Sequence, residues 1–328
     1  MSDRNTLSCI FLESSGWGSA QRAHLAGDAS NRRYQRLTIA SEETAVLMDA
    51  PAEMGESVKS FIRITRFLRN AGFSAPEIYS ADEETGFLLL EDLGDNLFAR
   101  LLTSAPELEE TLYGAAVDLL VELQKCTPPA GLPEYTPIVM AGYIDPVFKW
   151  YHLTPEPEAK AIGQEMLKAL LPCKDTPAVI SLRDYHAENL LWLPDRTEIQ
   201  RVGLLDYQDA VLTHPAYDLV SLLKDARREV SAELQQKMIA RFTVASGIDR
   251  NSFAHAYHAL GVQRNLRILG VLSRLGKAAG KPGYLDLLPR VWTNLQDNLS
   301  HPDLKTLREL VNNALPSPCP EMLQRLNG

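Results

Sequence analysis

The sequence predicts an α+β fold in two parts, a small strand-rich beginning and a large, mainly helical remainder. Three observations carry that prediction. Strand-like segments crowd into roughly the first 90 residues, with one amphipathic helix among them. Almost every later apolar pattern has helical spacing. The exceptions are three short apolar runs, at 179–182, 190–192 and 202–205, which border polar residues. The chain's 328 residues exceed one small core and suit two domains, here 1–92 and 93–328.

The elements follow in order. A strand over 22–26 leads into a small polar loop, GDASNRR, and strands over 34–39 and 44–48 come next. A connection bearing Pro and Gly opens a helix over 58–70, where Val58, Phe61, Ile62, Ile64, Phe67 and Leu68 keep helical spacing. Ala71-Gly72 closes it. Strands over 76–80 and 86–91 complete this part, and the run FLLL in the second predicts burial on both faces. A long amphipathic helix over 107–124 has Leu108, Leu112, Ala115, Leu119 and Leu123 on one side. Prolines at 128, 129, 133 and 137 mark a loop, and further helices are expected over 147–152, 159–170, 219–229, 232–246, 251–276 and 284–298.

Bulk properties narrow the function. The net charge is −9, with 42 acidic and 33 basic residues, so nothing points to nucleic acid as a partner. No apolar run reaches the length of a membrane span, and the first residues do not read as a secretory signal. Cys9, Cys126, Cys173 and Cys319 are scattered without a C-x-x-C pair, which fits free thiols in a reducing cytoplasm. No obligate protein partner is evident.

The chemistry concentrates in LRDYHAENLLWL and VGLLDYQDA. Asp184 and Asn189 stand five positions apart between apolar runs, and Asp206 ends the next one. Two carboxylates and a carboxamide at the ends of short strands are hard oxygen donors of the kind magnesium takes beside substrate phosphates. Phosphoryl transfer needs this set, with a metal to gather charge and a carboxylate to orient or deprotonate the attacking hydroxyl. Each residue alone would read as a turn, a cap or a structural histidine; the joint D-x-x-x-x-N…D pattern points to a metal–phosphate site.

These motifs resemble the catalytic and metal-binding motifs of the aminoglycoside phosphotransferase family, which shares the two-lobed protein-kinase-like fold. The resemblance covers nearly the whole chain. It implies that Asp184 is the catalytic base, that Asn189 and Asp206 hold Mg2+, and that ATP is the donor. It further implies that GFLLLEDLGD runs into a hinge whose backbone from Glu91 to Leu93 meets adenine. The loop with Ser30, Asn31, Arg32 and Arg33 then covers the phosphates. Two departures stand out. Leu182 replaces the family's His before the catalytic Asp, and Met48 stands where the phosphate-gripping lysine belongs, the nearest lysine being Lys59. Glu56 is a loose candidate for the usual helix glutamate. Three readings remain open: an arginine (Arg32, Arg33 or Arg36) supplies the charge, the strand register differs, or the kinase is weak or inactive.

VLMDAP, DYHAENLLWL, LLDYQDAVLTHPAYDLVSLLKDARREV and GVQRNLRILGVLSRLGKAAGKPGYL are similar to one branch of that family. Its members phosphorylate the anomeric hydroxyl of N-acetylmuramate and N-acetylglucosamine in bacterial cell-wall recycling. The resemblance implies an amino-sugar acceptor. Tyr143, Trp150 and Tyr151 are candidate sugar-facing aromatics, against packing roles. Asp209 is a candidate for sugar hydroxyls, and Arg227, Arg264 or Arg267 for a carboxylate, with Arg227 the first choice. Asp218 is expected to cap or anchor the helix after it. The alternatives are an aminoglycoside or amino-alcohol phosphotransferase, a nucleotide-binding pseudokinase scaffold, and, remotely, a metal-dependent hydrolase using Asp184, His186 and Asp206.

Overall fold

The computed structural model describes residues 4–25, 31–51 and 57–327. Contacts divide the chain into two compact units: Met1–Ser104 with Asn189–Asp209, and Ala105–Glu188 with Ala210–Gly328. This differs from a cut between residues 92 and 93. Residues beyond the hinge, and a stretch from the motif region, belong with the first unit.

In the first unit, β1 (Gln21–Leu25), β2 (Arg33–Thr38), β3 (Thr44–Asp49), β4 (Ile78–Asp82) and β5 (Phe87–Glu91) form an antiparallel sheet in the order β1-β2-β3-β5-β4. Cross-strand partners share a face and neighbours along a strand alternate. Leu37, Ala45, Leu47, Phe87 and Leu89 therefore line one face, which a helix not expected from the sequence, α1 (Arg4–Ser14), seals with Phe11 and Leu12. Phe11 stacks on Phe87 at 5.7 Å between ring centres. Arg4 pins the helix by an ion pair with Asp49 and a bond to the Thr85 carbonyl at 2.7 Å. The other face carries Tyr34, Arg36, Val46, Met48, Leu88 and Leu90. The turn between β4 and β5 needs Gly86: its φ is +80°, and a Cβ would sit 2.1 Å from the Ala50 carbonyl oxygen. The helix α2 (Val58–Asn70) has its expected bounds, with Ser57 capping the Lys59 N–H.

Four short strands make up the motif region: β6 (Val179–Ser181), β7 (Leu190–Trp192), β8 (Val202–Leu204) and β9 (Val211–Thr213). They pair as two antiparallel ribbons, β6 with β9 and β7 with β8. The β7–β8 ribbon belongs to the first unit. The Leu204 N–H donates to the Ser74 carbonyl at 2.9 Å and the Trp192 N–H to the Asn96 carbonyl at 2.8 Å. Just past the hinge, α3 (Phe98–Ser104) packs Phe98 edge-on to Trp192. These contacts explain why the unit runs past residue 92.

The second unit is built from α4 (Glu109–Leu123), α5 (Pro137–Gly142), a π-helical turn over Val147–Tyr151, α6 (Glu156–Leu170), α7 (Ala216–Leu223), α8 (Ala232–Ser246), α9 (Arg250–Ala278), α10 (Leu288–Leu299), α11 (Lys305–Ala314) and α12 (Pro320–Asn327), with the β6–β9 ribbon. The long α9 is its axis. At Gly270 the π turn comes so close that a Cβ would lie 2.4 Å from backbone atoms of Pro146 and Val147. The helix expected over 219–229 runs instead from 216 to 223. Lys224, buried, is drawn to Asp297 of α10, and the Asp225 carboxylate takes the Arg227 N–H at 2.8 Å, so one tertiary contact and one local turn end the helix early. Among the described residues, no helix is long and apolar enough to cross a membrane.

Candidate active site

In the first unit the β7–β8 pairing decides the geometry. Asn189 enters β7 and Asp206 follows β8, and the Leu205 N–H donates to the Asn189 carbonyl at 3.0 Å. The expected convergence of these two residues at one end of a short ribbon is therefore present. Asp206 has φ +54°, a left-handed conformation that costs a non-glycine residue about 1–3 kcal/mol. The following Tyr207 holds it there. Its ring, with no exposed surface, stacks on Phe61 of α2 at 5.2 Å, and its hydroxyl bonds the buried Thr65 hydroxyl at 2.8 Å. The carboxylate is left partly exposed, 2.6 Å from the Gln208 Nε2 that donates to it. A carboxylate and a carboxamide placed together on a braced turn fit a hard divalent cation such as magnesium.

Met48 is where the sequence places it. It pairs with Tyr34 and Leu88 and has no exposed surface, so a shifted strand is not the explanation for the missing lysine. Lys59 lies on the exposed side of α2. The three arginines part company. Arg33 pairs with Asp49 on the α1 side of the sheet, the face away from Met48. Arg36 shares the Met48 face but is spent on Asp92 and Asp95 at 2.6 Å each. Arg32, nearly buried, brings its guanidinium to 4.0 Å from the Asp206 carboxylate. Of these three arginines it is the one beside Asp206. Asn31 precedes it on the surface, whereas Ser30 and Glu56 lie outside the described residues.

At the hinge, the Glu91 carboxylate is fully engaged, with Arg196 at 2.5 Å, Arg69 at 3.4 Å and the Glu77 N–H at 3.1 Å. Only its backbone could serve a nucleotide. Leu93 is half-buried, and its side chain approaches Gly203 of β8. Asp209, at the end of the first unit, is exposed in the turn that follows Asp206.

In the second unit the chemistry surrounds Asp184. The chain leaves this unit between Glu188 and Asn189, so the D-x-x-x-x-N motif straddles the division. Arg183 has φ +69°. The segment is gripped by Asp218, completely enclosed in the first turn of α7. Its carboxylate accepts from the Ser181 hydroxyl at 2.6 Å, the Leu182 N–H at 2.7 Å and the Arg183 N–H at 3.0 Å. The expected structural role is there, but Asp218 anchors the segment from Ser181 to Arg183, which precedes it in sequence, and does not cap its own helix. Tyr185 plunges the other way, fully buried, its hydroxyl on the Ala116 carbonyl of α4 at 2.8 Å.

Asp184 keeps 38% of its side chain exposed. Burial pushes its carboxyl up, but Arg264, with Arg183, His186 and Arg267, outweighs that and holds it below the usual carboxylate range. Arg264 of α9, nearly buried, sits with Nη2 3.6 Å from the Asp184 carboxylate and donates from Nη1 to the Arg183 carbonyl at 2.9 Å. Burial drives the neighbouring His186 down, against the pull of Asp225, so it is neutral at pH 7. An aromatic group lies alongside: Tyr135 packs on Tyr143 at 5.2 Å and edge-on to Tyr217, with Arg183, Arg264 and Arg267 over the three rings. Of the predicted aromatics, Tyr143 belongs to this group and is 41% exposed. Tyr151 does not; it is buried, stacked on Trp292 and bonded to the Pro316 carbonyl. Trp150 stands beside it, under Lys149. Arg227 is exposed on the loop after α7.

No local pattern points to Tyr135 or to the commitment of Arg264 to Asp184, because α9 lies some 80 residues from the motif.

A family model described as the phosphotransferase enzyme family matches residues 22–254. The N-acetylmuramate/N-acetylglucosamine kinase of Caulobacter vibrioides is 35% identical over 96% of this chain and 98% of its own. The enzyme of the same name from Pseudomonas putida is 31% identical over 92% and 91%. Among solved structures, a choline/ethanolamine kinase family protein from Mesorhizobium loti aligns with a TM-score of 0.65 at 14% identity, covering 95% of this chain and all of that one (100%). The GDP complex of aminoglycoside 2'-phosphotransferase-IIIa aligns at 0.64 and 13% identity, covering 90% and 100%. At such identities the structures speak for the fold, which is the two-lobed protein-kinase-like one, and the sequence matches speak for the lineage: the chain belongs to the phosphotransferase enzyme family.

Proposed function

We propose that this protein is an ATP- and magnesium-dependent kinase of the cytoplasm that phosphorylates the anomeric hydroxyl of N-acetylmuramate and N-acetylglucosamine, sugars released in cell-wall recycling. Its relatives over nearly the whole length bear that activity in their names. The observation that carries the choice of acceptor is the charge around Asp184. Arg264 lies 3.6 Å from its carboxylate, and Arg183 and Arg267 stand over the neighbouring Tyr135 and Tyr143 rings. Three guanidiniums repel a polycationic aminoglycoside or a quaternary amine and accommodate a neutral or anionic sugar.

Asp184, ionised at neutral pH, accepts a hydrogen bond from the sugar hydroxyl and aims its oxygen at the γ-phosphoryl group. Its low pKa suits an orienting role, in which the proton arrives late, as a loose phosphoryl-transfer transition state allows. Arg264 keeps the carboxylate charged and in place. Asn189 and Asp206 would hold magnesium, which when bound neutralises phosphate charge. Arg32 supplies the cation that the lysine position, occupied by Met48, lacks. The backbone from Glu91 to Leu93 takes adenine, Asn31 and the loop before it cover the phosphates, and Asp209 and Tyr143 serve the sugar.

The test is ADP release with each amino sugar, ATP and Mg2+. The wild type turns both over, and Asp184→Asn lowers kcat by about 10²–10⁴-fold. No transfer by the wild type to any acceptor would leave the scaffold reading standing. Turnover of aminoglycosides or choline but neither sugar would remove the acceptor assignment.

A further inference from the structure

The two sugars differ by one group. N-acetylmuramate carries a lactyl ether that ends in a carboxylate; N-acetylglucosamine has a free hydroxyl there. A site that takes both must meet the carboxylate without depending on it for catalysis. Three arginines in the second unit come into question, and the structure separates them.

Arg264 is committed to positioning. Its guanidinium holds the Arg183 carbonyl at 2.9 Å and faces Asp184 at 3.6 Å, and its side chain is only 7% exposed. Losing it would harm any acceptor. Arg227, the first choice from the sequence, stands exposed on the loop after α7, and its charge acts on His186. Arg267 differs from both. It follows Arg264 by three positions on α9, so it shares that helix face. It is half-buried, its guanidinium lies 6.0 Å from the centre of the Tyr143 ring, and it ion-pairs with no carboxylate among the described residues. The ring restricts the guanidinium without neutralising it. The planar fork keeps donors for a carboxylate, which guanidinium binds in a two-pronged way. Tyr143, 41% exposed, offers an apolar face beside it for the lactyl methyl group.

We propose that Arg267, steadied over Tyr143, binds the carboxylate of acidic amino sugars and sets the preference for N-acetylmuramate over N-acetylglucosamine. The inference rests on the amino-sugar kinase reading above.

The experiment compares kcat/KM of wild type and Arg267→Gln on N-acetylmuramate, its methyl amide (carboxylate blocked) and N-acetylglucosamine. The expected result is a fall of about 10–100-fold for N-acetylmuramate, the range for a charge-assisted bond, borne mainly by KM. The methyl amide and N-acetylglucosamine should fall by a smaller factor, the same for both, which is the loss of the distant Arg267 charge on Asp184. The wild type should distinguish acid from amide and the variant should not. Arg267→Lys should recover part of the acid's KM. Equal losses on all three sugars, or no loss on the acid, would overturn the assignment. Failure of the underlying reading looks different: the wild type itself would release no ADP with any of the three sugars, and both readings would fall.

Discussion

Arg183 and Asp206 occupy the same strained backbone region, with φ +69° and +54°, yet they are braced by opposite means. Arg183, in the second unit, is held by polar bonds. One buried carboxylate, Asp218, takes a hydroxyl and two backbone N–H groups. Asp206, in the first unit, is held by packing, with the Tyr207 ring against Phe61 and a single hydroxyl bond to Thr65. A buried polar clamp is close to all-or-none, because removing its acceptor orphans every donor at once. An apolar brace loses strength by degrees. The Arg183 segment should therefore be brittle and the Asp206 segment tolerant.

The largest test of that contrast is Asp218→Ala. It leaves the buried Ser181 hydroxyl and Leu182 N–H without their acceptor and the Arg183 N–H with only the Ser181 hydroxyl at 3.2 Å, at a cost on the order of 3–5 kcal/mol. Differential scanning should show a clear loss of Tm, with kcat down by about 100-fold from misplacement of Asp184. A loss under 1 kcal/mol would mean that Asp218 is no clamp. Next comes Tyr207→Phe, which keeps the ring and deletes one hydroxyl. About 1 kcal/mol and less than a fivefold change in kcat are expected from chemical denaturation and steady-state rates. A larger loss would show that the hydroxyl pair, and not the packing, braces Asp206.

The smallest effect is a pH dependence confined to the polar side. His214 joins β9 to α7; its Nδ1 accepts the Ala216 N–H at 3.1 Å, and burial lowers its pKa to about 4. Unfolded, it would titrate near 6.5. Between these values the unfolded chain holds a proton that the folded chain does not. Its contribution to stability is thus complete above about 6.5 and is lost as pH falls towards about 4. His258, lowered to about 4 chiefly by burial and also by His301, acts in the same direction. Tm measured from pH 7 to 4 should fall, and His214→Gln should flatten part of the slope. An unchanged slope in that variant would take His214 out of the account.

How much was legible beforehand follows from the range of the interactions. The helices at 58–70 and 232–246 have the bounds their periodicity and caps dictate, since Ser57 and Ser231 each cap from next door. β7 is likewise where its apolar run lies. The helix α1 was passed over because its apolar residues acquire meaning only against Phe87 and Leu89, far along the chain. The strand β9, three residues long, exists because β6 pairs with it. The same distinction governs the site. Asp184, Asn189 and Asp206 stand in a compact motif and could be named as candidates from the sequence. Arg32 could be named only as one of three arginines until the sheet register put Arg33 on the other face and the hinge acids claimed Arg36. Tyr151 belonged to the packing of Trp292, a partner no local pattern announces.

The return of Asn189–Asp209 to the first unit has a consequence for synthesis. A ribosome that has made residue 104 has produced the five-stranded sheet with α1 and α2, but not the ribbon that satisfies Ser74 or the tyrosine that covers Phe61. Those arrive about a hundred residues later, at about 5–20 residues per second, roughly 5–20 s afterwards. Until then the nascent first unit carries an apolar gap beside α2. It is through that interval that chaperones, and mutations that slow elongation between residues 105 and 188, would act on the yield of folded protein.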